Sequence, residues 1–453
     1  MPRQCRAANH IITSIVSMRE AGVMLRAIIS TWTLFFGLLL ISAGSGLQVV
    51  LLGTRAPEAG FSNFATSIVM SGWFAGIFVG SMIVPNILAK VGHVRVFGAM
   101  AAIASATVLI HVIFLNPSAW TAMRFASGFS FAGMYIVCES WLNEKATNET
   151  RGQLLSLYTI TNMGGMGAGQ MMVSFDQDGD SGLFLLASVM VSIAVVPILI
   201  TASSAPNFEA PERISFRRLI QVSPLAVVGM TCIGIIISMI FGMGAVYGNL
   251  IGLNNVQIGY FITAITLGTL IFQYPIGRLS DKFDRRAVIL VSAIVAGSTA
   301  SIACLFGPNS FSTLLILMLI LGGLIFSLYS LFIAHANDYL TPSQMVAMSS
   351  GLLMVNGAGA VIGSPLAAFV IDLINVTAFM PTIAFVLFTL SGFIIYRMNV
   401  RSAVPAEAQG AFVAIPDTST GVAVNLSPEV EWVMNQDQDT DDDDPFKDNP
   451  YVN

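Results

Sequence analysis

A single charged side chain stands well inside a long apolar run of this 453-residue chain: Arg124, in Arg124-Phe-Ala-Ser-Gly128. A guanidinium withdrawn from water needs an anion, a lone pair or a water-filled cavity beside it. Such a residue therefore marks a candidate site for recognising a solute or coupling to an ion. The competing account has the side chain reaching back to an interface, because Pro117 lies only seven residues earlier and long basic side chains do this readily. The cost of a cation inside an apolar layer favours the functional account. Other polar or aromatic groups in the apolar runs are Ser42, Ser45 and Gln48; Ser127 and Tyr135; Tyr247 and Asn249; Tyr329, Ser330 and His335; and Asn162 and Asn356. Most isolated hydroxyls in such helices bond only to backbone or a neighbouring helix. Roughly a third of this set is expected to touch a solute. Carboxylates are sparser: Glu139, Asp338 and Asp372 fall near the ends of runs, and none sits deep within one. A lone buried cation favours an anionic or carbonyl-bearing solute.

Several other chemistries are excluded. No H-E-x-x-H, G-x-S-x-G or P-loop pattern occurs, so a membrane protease, a lipase, an ATP-driven pump or any other enzyme is not expected. Asp176-Gln-Asp178-Gly-Asp180 is calcium-like in composition, but Gly stands fourth and Ala187 takes the place of the closing Glu. Cys5, Cys138, Cys232 and Cys304 are scattered with no C-x-x-C pair, which argues for small packing residues and against a disulfide framework or a metal site. No Gly-rich turn follows a soluble strand, so no cofactor is expected, and no nucleic acid.

The elements that must carry these residues follow from composition. Hydrophobic residues make up 55% of the chain and charged ones 10%, against about a quarter charged in an ordinary soluble domain. A membrane-crossing helix needs ~20 mainly apolar residues. That rule yields twelve spans, near 25–52, 62–88, 94–115, 117–142, 152–174, 182–203, 224–248, 256–277, 286–306, 311–337, 344–371 and 377–398. Loops such as Asn116-Pro117-Ser118 and Pro308-Asn309-Ser310 are short and turn-forming. The expected fold is all-α and polytopic: a leader over 1–23, a six-helix half over 24–203, an inter-half loop over 204–223, a second half over 224–398 and a tail over 399–453. Of the 20 Lys and Arg, 18 fall in alternate segments, with Arg55 opposite and Arg124 within a span. This bias supports the span count and places both termini in the cytoplasm; the expected location is the plasma membrane (inner membrane in a Gram-negative cell). The tail is rich in Asp and poor in apolar residues, so it is expected to be disordered.

The halves echo one another. Thr161-Asn162-Met163-Gly164-Gly165 and Val355-Asn356-Gly357-Ala358-Gly359 coincide at an offset of 194, which also pairs Tyr135 with Tyr329; the loops after spans 2 and 8 correspond at 192. At the end of span 8 stands Gly277-Arg278-Leu-Ser-Asp281-Lys282-Phe-Asp-Arg285-Arg286. It resembles the G-x-L-A-D-R-x-G-R-R signature of the major facilitator superfamily. The first-half copy, Pro85 to His93, lacks the signature Asp, replaced by Ala89, and the leading Gly, replaced by Pro85. Arg124 to Gly128 is similar to that family's helix-4 signature. The stretches Cys138 to Leu142, Arg151 to Leu155, Gly167 to Gln170 and Met345 to Met348 most resemble the YcaD-like branch. The resemblance implies a twelve-helix secondary transporter of one small solute, alternating access by rocking one half against the other. It further implies coupling to protons, central lining from helices 1, 4, 7 and 10, and a cytoplasmic gate around Asp281. Glu139 and Arg151 could add a gate pair; the second half offers Asp338 but only Met345 where Arg151 would repeat. A monomer in the lipid bilayer is expected. Proton-driven efflux of drugs or metabolites is the alternative, favoured by any carboxylate embedded in the membrane; a transporter-like receptor signalling through the tail is the rival from another class.

Overall fold

A computed structural model of the chain describes residues 31–147, 150–175, 181–201, 214–306, 310–401, 404–405 and 409–423. The leader, residues 204–213 of the inter-half loop, the Asp176 to Asp180 cluster and residues 424–453 lie outside these. Thirteen α-helices occupy the described part, with no strand among the described residues. They are α1 (Thr31–Glu58), α2 (Asn63–Val91), α3 (His93–Ile113), α4 (Pro117–Lys145), α5 (Arg151–Met171) and α6 (Gly182–Thr201). A short α7 (Phe216–Val222) precedes α8 (Pro224–Leu250), α9 (Asn255–Ser280), α10 (Arg285–Phe306), α11 (Phe311–Asn337), α12 (Pro342–Leu373) and α13 (Phe379–Val400).

The turn signals act as caps. Asn116 accepts from the Ala119 N–H at 2.9 Å with Pro117 beginning α4, and Ser223 caps α8, whose first residue is Pro224. Asn254 and Gln257 close a reciprocal capping box on α9. Each device satisfies N–H groups that a helix start leaves without partners. Ten of the long helices are apolar enough to span a membrane by themselves. The two that fall short are α4 and α5, which carry Arg124, Glu139, Tyr158, Asn162 and Gln170 on buried faces. Their polarity marks what they line.

Glycine pairs show why the halves share one backbone. A Cβ at Gly165 or Gly169 of α5 would strike the carbonyls of Leu39 and Ala43 on α1. One at Gly359 or Gly363 of α12 would strike those of Thr231 and Ile235 on α8. Likewise Gly76 meets Phe125 and Gly128 meets Trp73 between α2 and α4, while Gly268 meets Leu319 and Gly322 meets Ile265 between α9 and α11. These are the sequence offsets of 192 and 194 realised as backbone contact, the close approach that small residues permit in membrane bundles.

Two seams join the halves, α2 on α12 and α5 on α9. Asn63 Nδ2 donates to Asp372 Oδ1 at 2.8 Å and Ser71 Oγ donates to the Val361 carbonyl along the first. Thr266 Oγ1 donates to Gln170 Oε1 at 3.0 Å along the second. Gly53 of α1 meets Ala245 of α8 nearby. These contacts shut the bundle at the Arg55 and Asp372 end. Lys and Arg gather at the other, basic end.

Candidate functional site

Toward the basic end a cavity of about 320 Å³ lies between α2 and α12, walled by Phe78, Tyr329, Asn356 and Ser350. Ile136 of α4 and Ile237 of α8 complete it together with the tail, which contributes Asp417 and Ser419 to Val422. The expectation of disorder from residue 399 fails over 409–423: this stretch folds back between the halves, with Ile415, Val422 and Ala423 no more than 4% exposed. An apolar island, Ala411-Phe-Val-Ala-Ile415 and Gly421-Val-Ala423, lies within the acidic tail, and burying it offsets the ordering cost that composition alone suggested would prevail.

Glu139 is the centre of the polar contacts. It stands near the end of α4, as its place in the sequence implies, yet with 0% exposure, because α5 and the tail cover it. Its oxygens accept from Tyr158 Oη at 2.7 Å, from the Thr420 N–H at 3.1 and 3.2 Å, and from Thr420 Oγ1. The expected Glu139–Arg151 pair does not form: the carboxylate points at α5 and the tail, and its described partners are neutral donors. Asn162, one turn along α5 from Tyr158, accepts from Thr418 Oγ1 at 2.9 Å. Tyr135 lies beside Asn162, Ser42 and Ser45. Across the opening, Ser330 of α11 accepts from Gln273 Nε2 at 2.8 Å and from the Ile415 N–H at 3.1 Å, and donates to the Ile415 carbonyl at 3.1 Å. All three valences of one hydroxyl are thus used. Asp417 is half-buried at the cavity edge, and burial pushes its carboxyl up to about 7.

A second polar group lies apart from the cavity. Arg124 is 1% exposed, its guanidinium 4.6 Å over the Trp73 ring, with Nε and Nη1 lacking acceptors. One turn away Ser127 donates to Gln48 Oε1 at 3.4 Å, and Gln48 donates to the Gly44 carbonyl at 3.2 Å.

Other expected residues are placed elsewhere. Tyr247 stacks on Phe379 at 4.6 Å between α8 and α13, and Asn249 is exposed. Asn356 borders the cavity but spends its amide on the Met230 carbonyl at 3.1 Å, holding α12 to α8. His335 packs edge-on against Tyr339 at 5.3 Å.

The charged residues of the basic-end cluster pair with one another within the second half. Arg285, 1% exposed, bonds the buried Asp338 and lies 3.6 Å from Asp281. Arg286 bonds Asp284 at 3.1 Å and donates to the Arg401 carbonyl at 2.7 Å. Lys282 is exposed, and Arg278 stacks over Tyr274 at 4.4 Å. Gly277 leaves room for the Phe412 ring, a tail contact that its role in helix approach did not anticipate. Tyr158, Gln273, Thr418 and Thr420 were missed. Only Tyr158 had a local signal, since a spacing of four puts it on the Asn162 face.

Against this geometry, the sequence profile described as Major Facilitator Superfamily matches residues 34–266 and again 226–428. The MFS-type transporter YcaD of Escherichia coli O7:K1 (strain IAI39 / ExPEC) is 28% identical over 380 residues, covering 82% of this chain and 95% of the relative. Its counterpart in Escherichia coli strain K12 / DH10B is 27% identical with the same coverage. Among solved structures, the nucleoside transporter NupG superposes with a TM-score of 0.68 at 14% identity, covering 82% of this chain and 100% of its own. The human organic anion transporter MFSD10 (TETRAN) gives 0.56 at 13%, covering 82% and 99%. Identities this low speak for fold alone. Profile, relatives and fold agree, and the chain belongs to the major facilitator superfamily, a multi-pass secondary transporter and not an enzyme.

Proposed function

We propose that the protein moves a small anionic or carbonyl-bearing solute by proton-coupled alternating access, as a monomer in the plasma membrane with its basic end cytoplasmic. The observation that carries the solute class is Arg124, a buried cation with two nitrogens lacking acceptors. A desolvated guanidinium is stabilised by a planar oxygen acceptor, and the Trp73 face compensates it only in part. Ser127 and Gln48, one turn inward, can orient such a group. Glu139 supports the proton: it is the one carboxyl fully buried within a described span, and intramembrane carboxyls are the usual proton carriers of transporters. The Lys and Arg bias supports the orientation.

The same carboxyl favours a second reading, proton-driven efflux of cationic or neutral compounds, because it supplies the embedded acid that the sequence alone lacked. A thermal-shift screen of purified protein against anionic, neutral and cationic solutes separates the two, beside Arg124→Gln and the packing control Met318→Leu. Ligands that bind the folded state raise its apparent stability with occupancy. The anion reading expects stabilisation by carboxylates that is weakened at least about tenfold in Arg124→Gln and retained in Met318→Leu, the loss of one charged hydrogen bond. Stabilisation by cationic drugs that survives Arg124→Gln sinks it in favour of efflux.

A further inference from the structure

We propose that the opening at the basic end is a peptide-binding site, and that its ligand is this chain's own Gly410 to Ala423, held in cis. The inference goes beyond the solute reading above, and it rests on how the tail is gripped. Along the segment the body supplies side chains, one after another, to the tail's main chain. Asp338 accepts the Gly410 N–H at 3.1 Å while Arg285 donates to the Gly410 carbonyl at 2.6 Å. Asp281 accepts the Phe412 N–H at 2.8 Å. Ser330 brackets Ile415 on both its N–H and its carbonyl. Beyond the Pro416 turn the grip passes to the first half: Glu139 takes the Thr420 N–H and Asn143 Nδ2 donates to the Val422 carbonyl at 2.7 Å. Two hydroxyls add side-chain recognition, Thr418 on Asn162 and Thr420 on Glu139.

This pattern differs from that of a tail lying on a surface. Buried carboxylates and a buried serine are spent on backbone N–H groups, so the body holds this peptide chiefly through its main chain. Two places of close fit add shape. The Phe412 ring fills the space that Gly277 leaves on α9, and a Cβ on Gly421 would strike Ser350 on α12. Without the segment Glu139 would face the opening with Tyr158 as its remaining described partner. The segment touches both halves, from Asp281, Ser330 and Asp338 to Asn143, Glu139 and Asn162. It therefore ties them together at the end where a rocking transporter must open, and a cytoplasmic solute and the tail compete for one space.

The test uses the full chain carrying Val422→Cys, a near-isosteric change at a position 4% exposed. Its reaction with a membrane-impermeant maleimide is followed by mass spectrometry, which resolves it from the native cysteines. Glu144→Cys, at an exposed place on α4, gives the unprotected rate. The expected result is labelling at least tenfold slower at 422 than at 144. An excess of synthetic peptide of residues 409–423 then raises the rate at 422, while the same peptide with Thr418→Val and Thr420→Val does not. Adding Glu139→Gln with Thr420→Val to the full chain raises it without peptide. Labelling of 422 as fast as 144, or protection that millimolar peptide leaves unchanged, overturns the proposal; the peptide arm holds even where Glu139→Gln impairs folding. Neither arm measures solute, so failure here and failure of the Arg124 reading are told apart.

Discussion

The two halves have nearly the same backbone and quite different charges. Glycine pairs at matched offsets hold α1 to α5 and α8 to α12 by the same carbonyl contacts, and Tyr135 and Asn162 recur as Tyr329 and Asn356. At the place of Arg124 the second half has Met318, and at that of Glu139 it has Ile333. In the other direction, Arg285 and Asp338 correspond to His93 and Glu144. His93 bonds Ser140 at 2.8 Å and Glu144 is exposed, so the first half has a neutral contact where the second has a buried ion pair. Packing repeats because the same small residues at matched offsets let the same helix pairs approach to backbone contact. The charges differ: the first half holds the buried Glu139 with neutral partners, and the second holds the ion pairs of Arg285 and Arg286.

That division predicts unequal sensitivity at equivalent positions. Asp338→Ala leaves the buried Arg285 guanidinium with only Asp281, 3.6 Å away, and the Gly410 carbonyl, and breaking a buried pair in this way costs about 3–5 kcal/mol. Glu144→Ala, on the exposed surface, stays within about 0.5 kcal/mol. Melting of the purified variants in detergent checks this, and comparable losses at both sites would erase the one-sided ion pairing. The backbone predicts the reverse, equal sensitivity. Gly169→Ala and Gly363→Ala each push a methyl into a facing carbonyl, and both are expected to lose about 1–3 kcal/mol as helices are forced apart. Gly164→Ala on α5, with open space around it, is expected to be neutral or slightly stabilising. Tolerance at 169 with intolerance at 363 would show that the matched contacts are not equivalent.

How much of this could be read from the chain depended on the range of the interaction. The spans, caps and paired glycines are local or periodic, and hydropathy, turn residues and a constant offset reveal them. Arg124 was legible because a charge in an apolar run has few explanations. Glu139 was not, because what buries it is Thr420, 281 residues away. Near a helix end it had the appearance of an interfacial gate charge. Residues 409–423 were misread by averaging, since Asp441 to Asp444 outweigh a short apolar island when composition is taken over 55 residues, 399 to 453. Tyr247 was assigned to the centre by its helix alone, but a residue on a cavity-lining helix can face either way, and this one packs against Phe379 and Phe261.

The smallest expected effect sharpens the comparison where the tail crosses from one half to the other. Asp417 sits there with its carboxyl held near 7, against an ordinary 3.8 when solvated. It faces Tyr135 on α4 and Tyr329 on α11, with the Glu139 carboxyl nearby and no described cation paired to it. A carboxyl whose value is raised on docking binds its proton more tightly in the docked state. Docking is therefore strongest in acid and weakens as pH rises through about 7, levelling off above it. Between pH 6 and pH 8 the docked fraction relative to the free one should fall about tenfold, near 1.4 kcal/mol, by proton linkage. Protection of Val422→Cys measured across that range reads the change directly. Asp417→Asn should flatten the profile while keeping the protection, because the main-chain contacts at Gly410, Phe412, Ile415 and Thr420 remain. A profile that keeps its slope in Asp417→Asn would assign the proton to the first-half carboxyl, Glu139, and place the pH response of the opening on the helix that also carries Arg124.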